Sequence, residues 1–84
     1  MIVGTIPELT KEVARELFDG EEWEFFVAFI DPDSDDVIHL AGYMNRPSVL
    51  TLSHLFYELK TDKEFGMDAT YVDTLRVRIF QFPD

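Results

Sequence analysis

The densest apolar run of the chain lies at residues 22–30, where aromatic and β-branched residues dominate. Because successive side chains of a strand point to opposite faces, the run divides into two alternating sets. Both sets are apolar: Trp23, Phe25, Val27 and Phe29 in one, and Phe26, Ala28 and Ile30 in the other. A strand that is apolar on both sides is typical of the middle of a sheet, so this run predicts the central strand.

Two segments show the spacing of three and four residues that is typical of an amphipathic helix. The first runs from residue 6 to about residue 19, with Thr5 as N-cap, Pro7 in the first turn, Glu8 at the capping-box position and Gly20 at the end. The second runs from Pro47 to about residue 60. The two apolar stripes are Ile6, Leu9, Val13, Ala14, Leu17 and Phe18 in the first helix, and Val49, Leu52, Leu55, Phe56 and Leu59 in the second.

Two more strands are predicted, over residues 37–44 and residues 70–82. The turn at residues 31–36 makes the first of them the hairpin partner of the central strand, and residues 61–68 form a loop before the last strand. We expect the core to receive Ile38, Leu40, Gly42 and Met44 from the hairpin partner, and Leu75, Val77 and Ile79 from the last strand.

The element order is helix, strand, strand, helix, strand, in one compact domain over residues 1–84. Short connections and the crossover through the second helix favour a sheet in the order 2-1-3, with the central strand antiparallel to both neighbours. The predicted fold class is therefore α+β, a two-layer sandwich with both helices on one face of a three-stranded sheet.

This architecture predicts an open sheet face that mixes aromatic side chains with arginine, a composition typical of interfaces. A homodimer through stacked sheets is the simplest way to cover it, and a structural or assembly subunit acting through this face is the alternative function. The predicted face consists of Glu24, Phe26, Ala28, Ile30, His39, Ala41, Tyr43, Arg76, Arg78 and Phe80.

The charge is strongly negative: 17 acidic residues against 7 basic ones give a net charge of −10. This opposes direct binding to nucleic-acid backbones or anionic membranes. Residues 1–36 hold eleven of the acidic residues and two of the basic ones. One interpretation is that these charges only keep the protein soluble. The alternative, which is more specific, is that they form a face that binds a basic partner. The candidate partner-binding residues are Glu8, Glu12, Glu16, Asp19, Asp31, Asp33, Asp35 and Asp36.

These residues favour a small acidic regulator or inhibitor that occupies a basic surface of a larger protein. In charge and size the chain resembles the DNA-mimic inhibitors encoded by phages and mobile elements. That resemblance implies a viral or mobile-element protein whose carboxylates imitate a nucleic acid. There is no basic leader and no apolar stretch of the ~20 residues that a spanning helix needs, so we expect a cytoplasmic protein.

No pattern predicts an enzyme, a cofactor or a metal centre. Asp31, Asp33 and Asp35 alternate as in a calcium loop, but Asp36 replaces its turn glycine and Gly42 replaces its bidentate glutamate. His54 and Glu58 make one i, i+4 pair, and two ligands do not form a site. The chain has no cysteine, and its serines lack a nucleophile elbow. We therefore expect a protein that binds rather than catalyses.

Overall fold

The computed structural model describes residues 4–18 and 23–82. No helix in these ranges is long and apolar enough to cross a membrane. The elements in these ranges, in chain order, are β1 (Gly4–Thr5), a 3-10 helix (Ile6–Glu8), α1 (Lys11–Leu17), β2 (Phe25–Ile30), β3 (Asp36–Tyr43), α2 (Val49–Thr61), α3 (Ala69–Thr74) and β4 (Arg76–Gln81).

The strands form one sheet in the order β1-β3-β2-β4, and every neighbouring pair is antiparallel. Strand β2 lies inside the sheet, where Phe26 pairs with Gly42 on one side and with Phe80 on the other. The α+β class is confirmed. The predicted three-stranded sheet is wrong, because β1 adds a fourth strand beside β3. A strand of two residues is too short to leave an alternating pattern in the sequence.

Helices cover both faces of the sheet, so the predicted two-layer sandwich with both helices on one face is wrong. Ala14 of α1 is fully buried against the face that carries Phe26. Leu59 of α2 and Val72 of α3 are buried against the opposite face, which carries Phe29. The reason lies in β2 itself, because a strand that is apolar on both sides must be covered on both sides.

A β-bulge changes which residues of β3 face each layer. The register shifts between Phe29 and Ile30, and Ile30 pairs with Val37 instead of Ile38. Val37 is fully buried in the α1 layer, whereas Ile38 packs on the α2 side. Ile38 therefore does pack in the core as predicted, but not on the same face as Leu40. The predicted inward set is wrong for Met44, which follows the strand and is 55% exposed.

The first helix begins later than predicted. Thr5 makes no side-chain cap; its backbone pairs with Asp36, and Pro7 lies in the 3-10 helix. The N-cap of α1 is Thr10, whose hydroxyl accepts a hydrogen bond from the Val13 backbone N–H at 3.3 Å. The predicted cap at Thr5 is wrong because its hydroxyl makes no cap hydrogen bond, and Leu9, whose backbone is extended, separates the 3-10 helix from α1. The predicted end at Gly20 lies outside the described residues.

The segment before β4 also differs from the prediction, because residues 69–74 are helical. The Asp68 carboxylate caps this helix, accepting from the backbone N–H groups of Thr70 and Tyr71 at 2.8 and 3.3 Å. From Leu75 onward the predicted alternation holds. Leu75, Val77 and Ile79 pack in the α2 and α3 layer.

Candidate interaction surface

The acidic turn between β2 and β3 is closed by a dense set of backbone hydrogen bonds. The Asp31 backbone donates to the Asp36 carbonyl at 2.9 Å, and the Asp35 backbone donates to the Asp31 carbonyl at 3.0 Å. The Asp31 carboxylate also accepts from the backbone N–H groups of Asp33 and Ser34, at 2.9 and 3.1 Å. Asp35 has a φ of 60°, a left-handed conformation that aspartate tolerates better than most residues. The turn therefore has one defined shape.

A side-chain bond attaches this turn to α3. The Tyr71 hydroxyl donates to the second oxygen of the Asp31 carboxylate at 2.6 Å. This bond raises the pKa of Tyr71 to about 12. The pKa of Asp31 is lowered, first by the Tyr71 hydroxyl and then by the backbone donors of Asp33 and Ser34. Asp31 is therefore a structural anchor of the turn, and it is half-buried.

The other carboxylates of the turn lie toward solvent. Asp33 and Asp35 are exposed and Asp36 is half-buried. The ion pairs found among the described residues are His54 with Glu58 and Lys60 with Asp73, so neither Asp33 nor Asp35 is neutralised by a described cation. The turn thus presents uncompensated negative charge on a fixed backbone.

The N-terminal segment brings Glu8 close to the turn, and α1 adds two further exposed carboxylates. The Ile6 backbone donates to the Asp35 carbonyl at 3.2 Å, and Gly4–Thr5 pairs with β3 directly after the turn. Glu8 follows in the 3-10 helix, and α1 begins at Lys11. Glu8, Glu12 and Glu16 are all exposed. We call Glu8, Glu12, Glu16, Asp33, Asp35 and Asp36 the acidic surface. Asp19, also predicted for it, lies outside the described residues.

The residues predicted to form an open sheet face do not share one exposed surface. Phe26 and Ile30 are 1% and 2% exposed, because α1 covers them. Ala28 is buried with them. His39, Ala41 and Tyr43 lie on the other face, since they pair with Phe29, Val27 and Phe25 in the register of β2 with β3. The prediction is wrong because it placed α1 on the same side as α2.

What remains uncovered of that face is a strip on β4. Arg76 and Arg78 are exposed, and Phe80 is half-buried. The Arg78 guanidinium lies 5.4 Å from the centre of the Phe80 ring, and Phe80 stacks on Phe82 with ring centres 5.8 Å apart. Glu24, predicted for the same face, is exposed just before β2. The strip is a row of arginine and aromatic groups at one edge of the sheet.

The two histidines, His39 and His54, lie in different surroundings and make separate contacts. His39 lies between the rings of Phe29 and Phe65, at 5.9 and 5.0 Å, and burial lowers its pKa. His54 is exposed on α2 and pairs with Glu58 at 3.0 Å. Within residues 4–18 and 23–82, no group of three or more histidine or acidic side chains could hold a metal ion.

Sequence reasoning missed two features of this surface. The bond from Tyr71 to Asp31 joins residues forty positions apart, and nothing in the local pattern of either residue predicts it. The short pairing of β1 with β3 was missed too, although a glycine followed by a β-branched residue is compatible with a short edge strand. No family model, curated protein or solved structure matches this chain.

Proposed function

We propose that this protein is a small acidic protein–protein interaction module, a regulator or inhibitor that binds a basic surface of a larger protein. The observation that carries this proposal is the fixed, exposed acidic turn next to the acidic N-terminal segment. Asp33 and Asp35 project from a backbone that is held at both ends of the turn. Carboxylates in fixed positions lose little conformational entropy when a partner binds them.

The distribution of charge supports the same function. The acidic surface lies around the turn and along α1, which also carries Lys11 and Arg15, and Arg76 lies on β4 opposite Ile30, directly before the turn. Residues 1–36 nevertheless hold eleven acidic residues against two basic ones. A concentrated negative field attracts a basic partner over several ångströms and accelerates its encounter. It also rejects acidic proteins, so the same charges contribute specificity.

We infer that the protein acts by binding rather than by catalysis. The carboxylates of the acidic surface lie on an exposed turn and helix, without the pocket that a general base needs. One cavity, of about 540 Å3, includes His54 and Glu58. Their side chains are 71% and 49% exposed and already paired with each other. A general base needs a desolvated position that this pair lacks.

A nucleic-acid mimic is the specific form of this function that we favour. Carboxylates on a rigid scaffold can occupy cationic sites that normally hold phosphates. The partner would be isolated by affinity capture from the native host and then purified. Duplex DNA should compete with the acidic module for the purified partner. Failure of DNA to compete would rule out mimicry while leaving an interaction with a basic protein surface intact.

The acidic surface is tested separately with two paired variants. Removing two charges from the turn with Asp33→Asn and Asp35→Asn should weaken binding to the purified partner. The control, Asp62→Asn with Asp73→Asn, removes the same charge from the α2 and α3 side and should leave affinity nearly unchanged. Equal effects of the two variants would mean that only net charge matters, and the proposed site would be wrong.

A further inference from the structure

One long stretch of this acidic chain contains no acidic residue. It covers residues 37–57, and the next longest acid-free stretch, residues 74–83, is about half as long. The stretch includes most of β3 and the first two turns of α2. A second copy of the chain therefore meets the least electrostatic repulsion where this stretch reaches the surface.

The outer side of α2 within this stretch is apolar and exposed. Val49 and Leu50 are both 80% exposed, and Tyr57 is 63% exposed. Ser53 and His54, which lie between them on the same side of the helix, are also exposed. We call these five residues the outer stripe of α2. The inner side of the helix packs on the sheet through Leu52, Leu55, Phe56 and Leu59.

A cavity of about 540 Å3 lies beside the outer stripe. Its lining combines Tyr43 of β3 with Leu50, His54 and Glu58 of α2. A space of this size next to Leu50 accommodates an aromatic side chain from another molecule. Exposed apolar groups that border a cavity are typical of an interaction surface.

The two ends of α2 carry charges of opposite sign. Arg46 is exposed just before the helix, and no ion pair of Arg46 is found among the described residues. At the other end, residues 58–64 include three acidic residues and two lysines, and one of the lysines, Lys60, already pairs with Asp73. Cations are favoured near the C-terminus of a helix, so Arg46 is better placed beside the C-terminal end of another helix than beside its own N-terminus.

We propose that α2 packs antiparallel against α2 of a second copy, about a two-fold axis between Ser53 and His54. Leu50 of one copy then lies opposite Tyr57 of the other, and this contact occurs twice per dimer. The same rotation brings Arg46 of each copy to the acidic C-terminal end of the partner's helix. The small side chain of Ser53 lets the two helices approach closely at the axis.

Self-complementarity is the reason for choosing a second copy as the occupant. Leu50 and Tyr57 are equally spaced about the axis, and so are the basic and the acidic end of the helix. Each group therefore meets its complement in an identical chain, as an isologous interface requires. The stripe is one helix face only, so we expect a small interface and a reversible dimer.

This inference is independent of the proposed function, and salt separates the two. Each copy carries a net charge of −10, so overall repulsion opposes the dimer and added salt strengthens it. Binding of the acidic surface to a basic partner has the opposite salt dependence. Helix α1 lies on the other face of the sheet from α2, so its carboxylates stay accessible in the dimer.

Sedimentation velocity of the full chain over micromolar to submillimolar concentrations tests the dimer. We expect a monomer–dimer equilibrium that tightens with salt. Leu50→Gln with Tyr57→Gln should weaken it by about tenfold or more. The matched control, Val13→Gln with Leu17→Gln, removes two exposed apolar side chains from α1 and should not weaken it. A strictly monomeric wild type, or equal effects of the two variants, would overturn the proposal.

The antiparallel arrangement is tested by charge reversal. Arg46→Glu should weaken the dimer more than Arg76→Glu, although both substitutions change the net charge equally. Only Arg46 faces the acidic end of the partner's helix, whereas Arg76 lies on β4. Equal weakening by the two variants would show that the helices do not pack in this direction.

The position of the axis is tested by cross-linking, because the chain has no cysteine of its own. A short bismaleimide should link Ser53→Cys into a covalent dimer much faster than Thr70→Cys, an equally exposed position on α3. Adding Leu50→Gln and Tyr57→Gln to Ser53→Cys should slow the reaction. If Ser53→Cys reacts no faster than Thr70→Cys, the axis does not pass beside Ser53 and the proposed dimer is wrong.

Discussion

At the scale of single residues, the bond between Tyr71 and Asp31 attaches the acidic turn to α3. One carboxylate oxygen accepts the Tyr71 hydroxyl and the other accepts two backbone donors of the turn. The carboxylate therefore joins α3 to the β2–β3 connection. Its bonds let Asp33 and Asp35 face solvent without loosening the turn.

Tyr71→Phe should lower the free energy of unfolding by an amount that depends on pH. Asp31 has a lowered pKa when folded, so its contribution is present above 3.8 and is lost as pH falls through the folded pKa. Tyr71 has a raised pKa of about 12, so its contribution is present below 10.0 and is lost as pH rises toward 12. Urea unfolding across pH should show a difference from wild type that is constant near neutrality and shrinks at both extremes.

The control for this experiment is Tyr57→Phe, which removes the hydroxyl of an exposed tyrosine on α2. It should change stability little at any pH. A Tyr71→Phe difference that is absent near neutral pH, or that stays the same at every pH, would contradict the anchoring role of the bond.

Gly42 is the second residue with a specific structural role. A Cβ placed there would lie 2.6 Å from Cδ1 of Trp23, whose ring packs over the strand. Gly42→Ala should therefore destabilise the fold by about 1–3 kcal/mol through overpacking. Chemical denaturation followed by circular dichroism measures this directly, and the same probe serves in a background without Trp23, the only tryptophan. In a Trp23→Leu background the same substitution should cost less, and an unchanged cost would mean that the clash is not with the indole.

At the scale of elements, the start of α1 shows how two capping signals compete. Thr5 and Thr10 both precede helical residues, but the Thr5 side chain makes no cap hydrogen bond. The Thr10 hydroxyl does, because it accepts from the Val13 backbone. The extended backbone of Leu9 separates the 3-10 helix from α1, which begins at Lys11.

Thr10→Ala should cost about 0.5–2 kcal/mol of stability, the usual range for loss of an N-cap. Thr5→Ala should cost less, since the Thr5 hydroxyl makes no cap bond. Denaturant unfolding of the two variants, made separately, compares them. A larger loss for Thr5→Ala would support a helix that begins at residue 6, as the sequence alone suggested.

The long elements were predictable because each carries a strong periodic signal. The apolar run of β2 and the stripe of Leu52, Leu55, Phe56 and Leu59 in α2 led to the correct element types. Short elements were not predictable in the same way. Strand β1 has two residues and α3 has six, so neither contains enough periods to separate it from a loop or a strand.

At the scale of the whole molecule, the helices divide between the two faces of the sheet, whereas the charges do not: the arginines of β4 lie on the same face as α1. The acidic surface belongs to the α1 side and the β2–β3 turn, while the exposed arginines mark the β4 edge. The sequence identified the acidic residues and their concentration in the first half of the chain. It did not indicate that Asp31 is an anchor, because that role depends on where α3 packs.

The predicted open face failed for a related reason. Alternation along β2 correctly assigned Phe26 and Ile30 to one face and Phe29 to the other. It could not assign α1 to either face, because an amphipathic stripe fits an apolar sheet surface on both sides. Because β2 carries apolar side chains on both of its faces, the sequence did indicate that two helical layers were needed to cover it.

The most direct test of the binding function is the salt dependence of affinity for the purified basic partner. Titration calorimetry would be done from about 0.1 M to about 1 M salt, over which the Debye length falls from about 10 Å to about 3 Å. We predict that affinity falls steeply with salt for the wild type and less steeply when Glu12, Glu16, Asp33 and Asp35 are changed to their neutral amides. An affinity that is indifferent to salt, or that is unchanged by these four substitutions, would contradict the proposed acidic binding surface.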